Sequence, residues 1–201
     1  MPWWLLWKRK VEGVDVGRLE ACDWNPSGPS FSGGDFRGAR LRARALFHID
    51  LSRSTLDHSD LREADLSDAS LSGSRLNHAD LRGAKLKNVD LRNAELVGAD
   101  LGEASLEGAN LSGILTQPDI PEDLKTTETE PVAVSFAKAN LSHAQLIGAD
   151  LRSANLSEAN LSGANLNAAD LSGANLNAAD LSGAEMWSVN LCDADLRDAD
   201  L

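Results

Sequence analysis

The stretch LSGANLNAADLSGANLNAADLSGA, residues 161–184, repeats a ten-residue phrase without change and places a Leu at every fifth position. In an α-helix, Leu side chains five residues apart would point about 140° away from one another and would form no apolar stripe. A continuous strand also fails, because its side chains alternate between two faces and an odd spacing sends successive Leu to opposite faces. The repeat must therefore combine two structures.

Each five-residue unit divides into a short extended segment and a corner. In Ala164-Asn165-Leu166, the Ala and Leu are two residues apart and share one face, while the polar Asn points the other way. The remaining two residues are often Ser-Gly or Asn-Ala, which tolerate the backbone angles of a tight corner. Repeating segment and corner predicts a coil lined with Leu and Ala.

The five-residue pattern covers most of the 201 residues. Central residues run from Phe31 to Leu111 in seventeen units, and from Phe136 to Leu201 in fourteen units. Leu fills 27 of these positions, and Phe31, Phe36, Phe136 and Met186 fill the others. Aromatic residues are only 4% of the chain, which suits an interior just wide enough for Leu and Ala. The regularity predicts one elongated solenoid.

The units ADLSD, ADLRG, ANLSG and ADLRD match the motif A(D/N)LXX, and the chain resembles the pentapeptide repeat family. The resemblance implies an all-β fold, a right-handed quadrilateral β-helix with four pentapeptides per coil. Like residues recur at a spacing of twenty, as expected for four sides: Arg42, Arg62 and Arg82; Asp60, Asp80 and Asp100; His58 and His78. The break between Leu111 and Phe136 omits four units, so we expect the register of the sides to survive it.

Four segments are predicted: an N-terminal cap or arm at 1–30, a first β-helix segment at 31–114, an inserted loop at 115–133, and a second β-helix segment at 134–201. The segment MPWWLLWKRK joins Trp3, Trp4 and Trp7 to three basic residues. It either caps the coil, touches a membrane surface weakly, or forms a disordered or partner-bound arm. The acidic, Pro-containing insertion is either a recognition loop or a tolerated one without a role.

No nucleophile turn, phosphate-binding glycine loop or metal-ligand pattern occurs in the sequence. We therefore expect no enzyme, no cofactor and no metal site, with His58 and His78 forming an exposed ladder. Cys22 and Cys192 lie far apart and make no paired spacing. A cytoplasmic protein is expected, with a peripheral location at the inner membrane as the alternative.

The net charge of −12 argues against direct nucleic-acid binding, which needs a basic surface. The family resemblance implies another option, since some members mimic duplex DNA, bind DNA gyrase and protect against fluoroquinolones. Those members commonly dimerise through a C-terminal helix, whereas this chain ends within a repeat; a homodimer remains an alternative here. The candidate acidic face comprises Asp150, Asp170, Asp180, Asp193, Asp195, Asp198 and Asp200.

The favoured hypothesis is a non-catalytic scaffold that binds another protein. Phe47, Ile147 and Trp187 each follow a central residue and are separated by multiples of twenty, so uninterrupted four-sided register would place them on one face. Outward apolar residues on a polar solenoid are candidate partner contacts, although scattered ones are also normal surface.

Overall fold

A computed structural model of the chain describes residues 30–116 and 133–201. Each pentapeptide contributes one bridge residue that pairs in parallel with a residue of the next coil, as Ser30 pairs with Asp50. The described residues contain no helix and no strand longer than these single bridges. Twenty residues per coil and five per side give a right-handed quadrilateral β-helix. Eight coils follow one another, and at about 4.8 Å per coil the stack is roughly 38 Å long.

We number the sides by the bridge residues of the first coil: side one begins at Ser30, side two at Asp35, side three at Arg40 and side four at Ala45. The interior is filled by the residue after each bridge residue, usually Leu, and by the residue before it, usually Ala. Every central residue from Leu51 to Leu181 is at most 2% exposed. Burying each Leu contributes about 1.5–3 kcal/mol relative to exposure.

Every corner in the described chain has a positive φ at its second residue. In all of them except the corner after Met186, the next residue donates its N–H to the preceding central carbonyl, as Ala39 does to Phe36 at 3.0 Å. This pattern is that of a type II turn, which favours Gly at the positive φ. Space is also limited at Gly163, because a Cβ there would lie 2.7 Å from Nδ1 of His143 and that side chain would have to move.

The Asp or Asn of the bridge position holds the corner in place. The Oδ1 of Asp60 accepts the N–H of Arg62, two residues later, and the Oδ1 of Asn110 accepts that of Ser112. All other Asp and Asn bridge residues before a described corner make the same bond. This Asx turn satisfies a backbone donor that the coil-to-coil bonds leave free, which explains the D/N of the motif.

Where another residue occupies the bridge position, a neighbouring coil can supply the acceptor. Glu185 does not make this local bond, and the N–H of Trp187 instead donates to Oδ1 of Asn167 in the preceding coil, at 2.8 Å. In the same way, the N–H of Asn77 donates to Oδ1 of Asp57, and the N–H of Val97 donates to Oδ1 of Asn77. The corner donor is therefore satisfied by either of two side-chain positions.

The insertion changes which residues stack on one another. Asp100 pairs with Ser135 and Asn110 with Gln145, a separation of 35 residues instead of 20. This separation exceeds one coil by fifteen residues, or three pentapeptides, so the expected preservation of the register of sides is wrong. Every residue after the insertion lies one side further along the coil than multiples of twenty would place it.

The unit centred on Thr116 still belongs to the coil, so the break omits three pentapeptides instead of four. Thr116 fills the central position after Leu111, is fully buried, and donates its hydroxyl to the carbonyl of Asp150 at 2.6 Å. Leu115 pairs with Glu95, and Ile114 takes the position usual for Ala. The coil thus continues two residues beyond the predicted boundary at 114. The hypotheses about residues 1–29 and 117–132 lie outside the described residues.

Candidate functional site

The candidate partner residues occupy two different corners of the coil. Ile147 stacks on Ser112, since Gly113 donates its N–H to the carbonyl of Ile147 at 3.1 Å, and this column continues through Asn167 to Trp187. It runs along the corner between sides one and two. Phe47 lies on the corner between sides four and one, in a column that continues through Glu107 to Ser142. The prediction that all three share one face is wrong because of the register shift.

Three exposed apolar residues lie near the corner between sides one and two. Trp187 is 78% exposed, Ile147 44% and Leu115 49%. Leu115 is a bridge residue of side two in the coil adjacent to that of Ile147. Leu115 was not predicted as a partner contact because the sequence pattern placed it in the insertion. Its position five residues after Asn110 is the signal that identifies it as a bridge residue. We call Leu115, Ile147 and Trp187 the apolar corner.

The candidate acidic residues are spread around the coil. Asp150 and Asp170 belong to side two, Asp195 to side three, and Asp180 and Asp200 to side four. Asp193 and Asp198 are corner residues with positive φ. These seven residues therefore form no single acidic face.

Two of the seven carboxylates are also paired with arginine. Arg152 lies 2.8 Å from Asp150, and Arg197 lies 2.6 Å from Asp195. The hydrogen bonds from Arg197 lower the pKa of Asp195 to about 2. Bonds from the Ser182 hydroxyl and backbone lower the pKa of Asp180. Both groups are carboxylates at neutral pH, but the field of Asp195 is offset by its partner.

Side three carries a ladder of ion pairs. Arg62 lies 2.6 Å from Asp60 in its own coil and 3.4 Å from Asp80 in the next, and Arg82 repeats this with Asp80 at 2.7 Å and Asp100 at 3.7 Å. The arginine hydrogen bonds lower the pKa of Asp60 and Asp80. The charges of these arginines and aspartates therefore offset one another along side three.

The remaining surface features are a histidine pair and a depression. His58 and His78 stack with ring centroids 5.0 Å apart and planes inclined by 9°. Among residues 30–116 and 133–201, no three His, Cys, Asp or Glu side chains are grouped so as to hold a metal. A depression of about 560 Å³ at the corner between sides three and four is lined by charged side chains of both signs. No helix in the described part of the chain has the length and hydrophobicity of a transmembrane span.

Comparison with known proteins agrees with this architecture. The profile of the pentapeptide repeats matches eight copies over residues 46–83, 74–113, 133–173 and 169–201. The chain therefore belongs to the pentapeptide repeat family. No protein of curated function matches the sequence significantly.

Several solved structures are similar. A pentapeptide repeat protein from the Arabidopsis thaliana thylakoid lumen is 29% identical over 58% of this chain and 71% of its own, with a TM-score of 0.49. HetL from the cyanobacterium Nostoc, involved in heterocyst differentiation regulation, is 33% identical over 85% and 84%, with a TM-score of 0.28. QnrB1, a plasmid-mediated fluoroquinolone resistance protein, is 20% identical over 83% and 86%, with a TM-score of 0.56. The last likeness concerns the fold alone.

Proposed function

We propose that the protein is a non-catalytic scaffold that binds another protein through the apolar corner. The observation that carries the proposal is the 78% exposure of Trp187. Large aromatic residues are enriched among the side chains that dominate binding energy at protein interfaces. A Trp that is exposed in the free protein and buried in a complex would make such a contribution.

The setting of Trp187 favours a binding role over accidental exposure. Its backbone is fixed by the bond from its N–H to Asn167, so ordering this segment on binding would cost little conformational entropy. Ile147 lies two coils away in the same column, about 10 Å along the stack. Leu115 extends the apolar surface onto side two. The three side chains can contact one partner without a change in the coil.

Within residues 30–116 and 133–201, the dense packing of the coil supports a non-catalytic role. The coil interior is packed with Leu and Ala, so substrates have no access to it. The depression at the corner between sides three and four is lined mainly by charged side chains, of which Arg82 pairs with Asp80 and Lys138 with Glu158. Binding is the chemistry that this surface supports.

The test is a comparative capture experiment in lysate of the native host. Wild-type protein is compared with the double variant Ile147→Ser and Trp187→Ser, and with Phe47→Ser as the matched control on another corner. We expect a specific protein that the double variant loses and the control retains, with equal thermal stability of all three. Equal capture by all three would refute the apolar corner as the binding surface.

The DNA-mimic alternative predicts a different behaviour. Electrostatic binding in place of DNA would weaken steeply with salt. Purified gyrase supercoiling, with and without ciprofloxacin, is compared for wild type and a variant with all seven candidate Asp changed to Asn. Because these carboxylates are dispersed and two are paired, we expect no effect at tens of micromolar protein. Inhibition or drug protection that the variant lacks would favour the mimic over the scaffold.

A further inference from the structure

The first corner residue has a side chain that projects from the coil in almost every repeat. Of all such positions in the described chain, only Gly102 and Ala137 are Gly or Ala. These two residues stack directly, because the neighbouring bridge residues Asp100 and Ser135 pair across the insertion. Their column, on the corner between sides three and four, carries arginine at 42, 62 and 82 before it reaches them.

Asp100, the bridge residue two positions before Gly102, lacks the arginine partner that six other bridge aspartates have. In six repeats, Asp in the bridge position is followed two residues later by Arg, and the guanidinium donates to both carboxylate oxygens. The Nε–Oδ1 distances are 2.8 or 2.9 Å and the Nη2–Oδ2 distances 2.6–2.8 Å. The pairs are Asp35–Arg37, Asp60–Arg62, Asp80–Arg82, Asp90–Arg92, Asp150–Arg152 and Asp195–Arg197.

Asp100 has the same backbone setting without the arginine. Its Oδ1 accepts the N–H of Gly102 at 2.9 Å, and its nearest cation is Nε of Arg82, 3.7 Å from Oδ2. In the other described corners that follow a bridge Asp without such an Arg, Ser stands two residues after the Asp. Ser67, for example, donates its hydroxyl to the carboxylate of Asp65. Of the described bridge Asp residues, only Asp100 has Gly two residues later. The side chain of Asp100 is 44% exposed.

The missing side chains leave room for a ligand. The depression of about 560 Å³ is lined by Asp100, Gly102 and Ala137, with Arg82, Glu103 and Lys138 among its other residues. Lys138 lies 3.7 Å from Glu158 and Arg82 lies 2.7 Å from Asp80, so both cations already have carboxylate partners. The depression thus combines an underused carboxylate with open space.

We propose that this depression binds an arginine side chain presented by a partner protein, with the guanidinium donating to both carboxylate oxygens of Asp100. The incoming group would occupy the place that the Arg62 and Arg82 guanidinium groups occupy in their own coils. Arginine is favoured over lysine because its planar fork matches a carboxylate in two parallel hydrogen bonds. The positive charge of the neighbouring arginines does not exclude the incoming arginine, because Arg62 and Arg82 already lie in adjacent coils with the Asp80 carboxylate between them.

This site is separate from the proposed function at the apolar corner. It lies at the diagonally opposite corner of the coil, between sides three and four, and shares no residue with Leu115, Ile147 or Trp187. Either surface can therefore be correct without the other.

The test is an NMR titration of the full chain with a short blocked peptide, acetyl-Gly-Arg-Gly-amide, observed at the backbone amide of Gly102. Two control peptides replace Arg by citrulline, which has the same shape without charge, or by Lys. We expect a saturable shift with a Kd in the millimolar range for the Arg peptide, a several-fold weaker effect for Lys and none for citrulline.

Three variants locate the effect. Asp100→Asn keeps the acceptor of the Gly102 N–H, as Asn155 does for Ser157 on the same side, and should lose the response to the Arg peptide. Asp180→Asn removes the same charge from a bridge position on side four and should leave the response unchanged. Gly102→Arg should bring a guanidinium of the chain itself to the Asp100 carboxylate and abolish the response to the peptide. No shift with the Arg peptide, equal shifts with all three peptides or with Arg and Lys, or an undiminished response in Asp100→Asn would overturn the proposal.

Discussion

Asp and Asn precede the central Leu in most repeats because their side-chain oxygen accepts the N–H of the first corner residue. Asp60, Asn110 and Asp180 all make this bond. The A(D/N)LXX pattern, the inward Leu and Ala, and the outward polar residues could be predicted from sequence, because each follows from a period of five. The bond of the Trp187 N–H to Asn167 could not, since it depends on which coils are adjacent.

The inward positions give the most direct prediction at this scale. Leu81→Asp should destabilise the coil by at least about 3 kcal/mol, because it buries an unpaired charge at a position with no exposure. Ala164→Trp should also disrupt it by overfilling a narrow interior. Ser105→Asp places the same charge outward, next to Lys85, and should be nearly neutral. Urea unfolding followed by circular dichroism measures all three; unchanged stability in both inward variants would contradict the assignment.

The arginine pairs predict how stability depends on pH. Hydrogen bonds from Arg62, Arg82 and Arg92 lower the pKa of Asp60, Asp80 and Asp90 below 3.8 in the folded protein. Between the folded and unfolded pKa the unfolded chain binds more protons, so stability is full above about pH 4 and is lost as pH falls through the folded pKa.

Changing Arg62, Arg82 and Arg92 to Gln raises these folded pKa values, and the loss of stability below pH 4 should become shallower. Urea unfolding at intervals from pH 2.5 to 7 measures it. Lys87→Gln, which removes a cation 3.2 Å from Glu107, is the control. Equal acid dependence in wild type and triple variant would show that the pairs contribute nothing.

At the scale of the element, the coil is regular because each corner bonds within itself and to the next coil. The four-sided coil was predictable from the spacing of twenty, but the register across the insertion was not. Thr116 and Ile114 occupy inward positions without being Leu and Ala, so the sequence repeat is recognisable only as far as Leu111. A polar hydroxyl is accepted there because the Asp150 carbonyl receives its hydrogen bond.

This register predicts that residues 117–131 can be removed. Their deletion leaves Thr116 followed by Val132 and Ala133 as a corner, and Val134 then falls in the position usual for Ala. Ala168 and Ala178 already adopt the positive φ that Ala133 would need. The variant should unfold cooperatively with a stability within about 1 kcal/mol of wild type, because all described residues of the coil are retained. Thermal unfolding checks it, and a broad or strongly lowered transition would contradict the register.

At the scale of the whole molecule, the surface is a set of columns whose composition depends on the shift at the insertion. The shift separates Phe47 from Ile147 and Trp187, and it stacks Gly102 on Ala137. Both proposed binding surfaces therefore combine residues from the two halves of the chain. Counting in multiples of twenty gives the wrong neighbours across the insertion, whereas within residues 134–201 the spacing of stacked residues is again twenty.

The most direct measurement is disulfide formation between stacked positions, with Cys22 and Cys192 replaced by Ser. Ser112→Cys with Ile147→Cys places two cysteines in adjacent coils, where a separation of about 4.8 Å suits a disulfide. Glu107→Cys with Ile147→Cys places them on different corners. Mass spectrometry after mild oxidation should show rapid, complete bonding of 112 with 147 and none of 107 with 147. Bonding of 107 with 147 in preference to 112 with 147 would contradict the register and, with it, both binding surfaces.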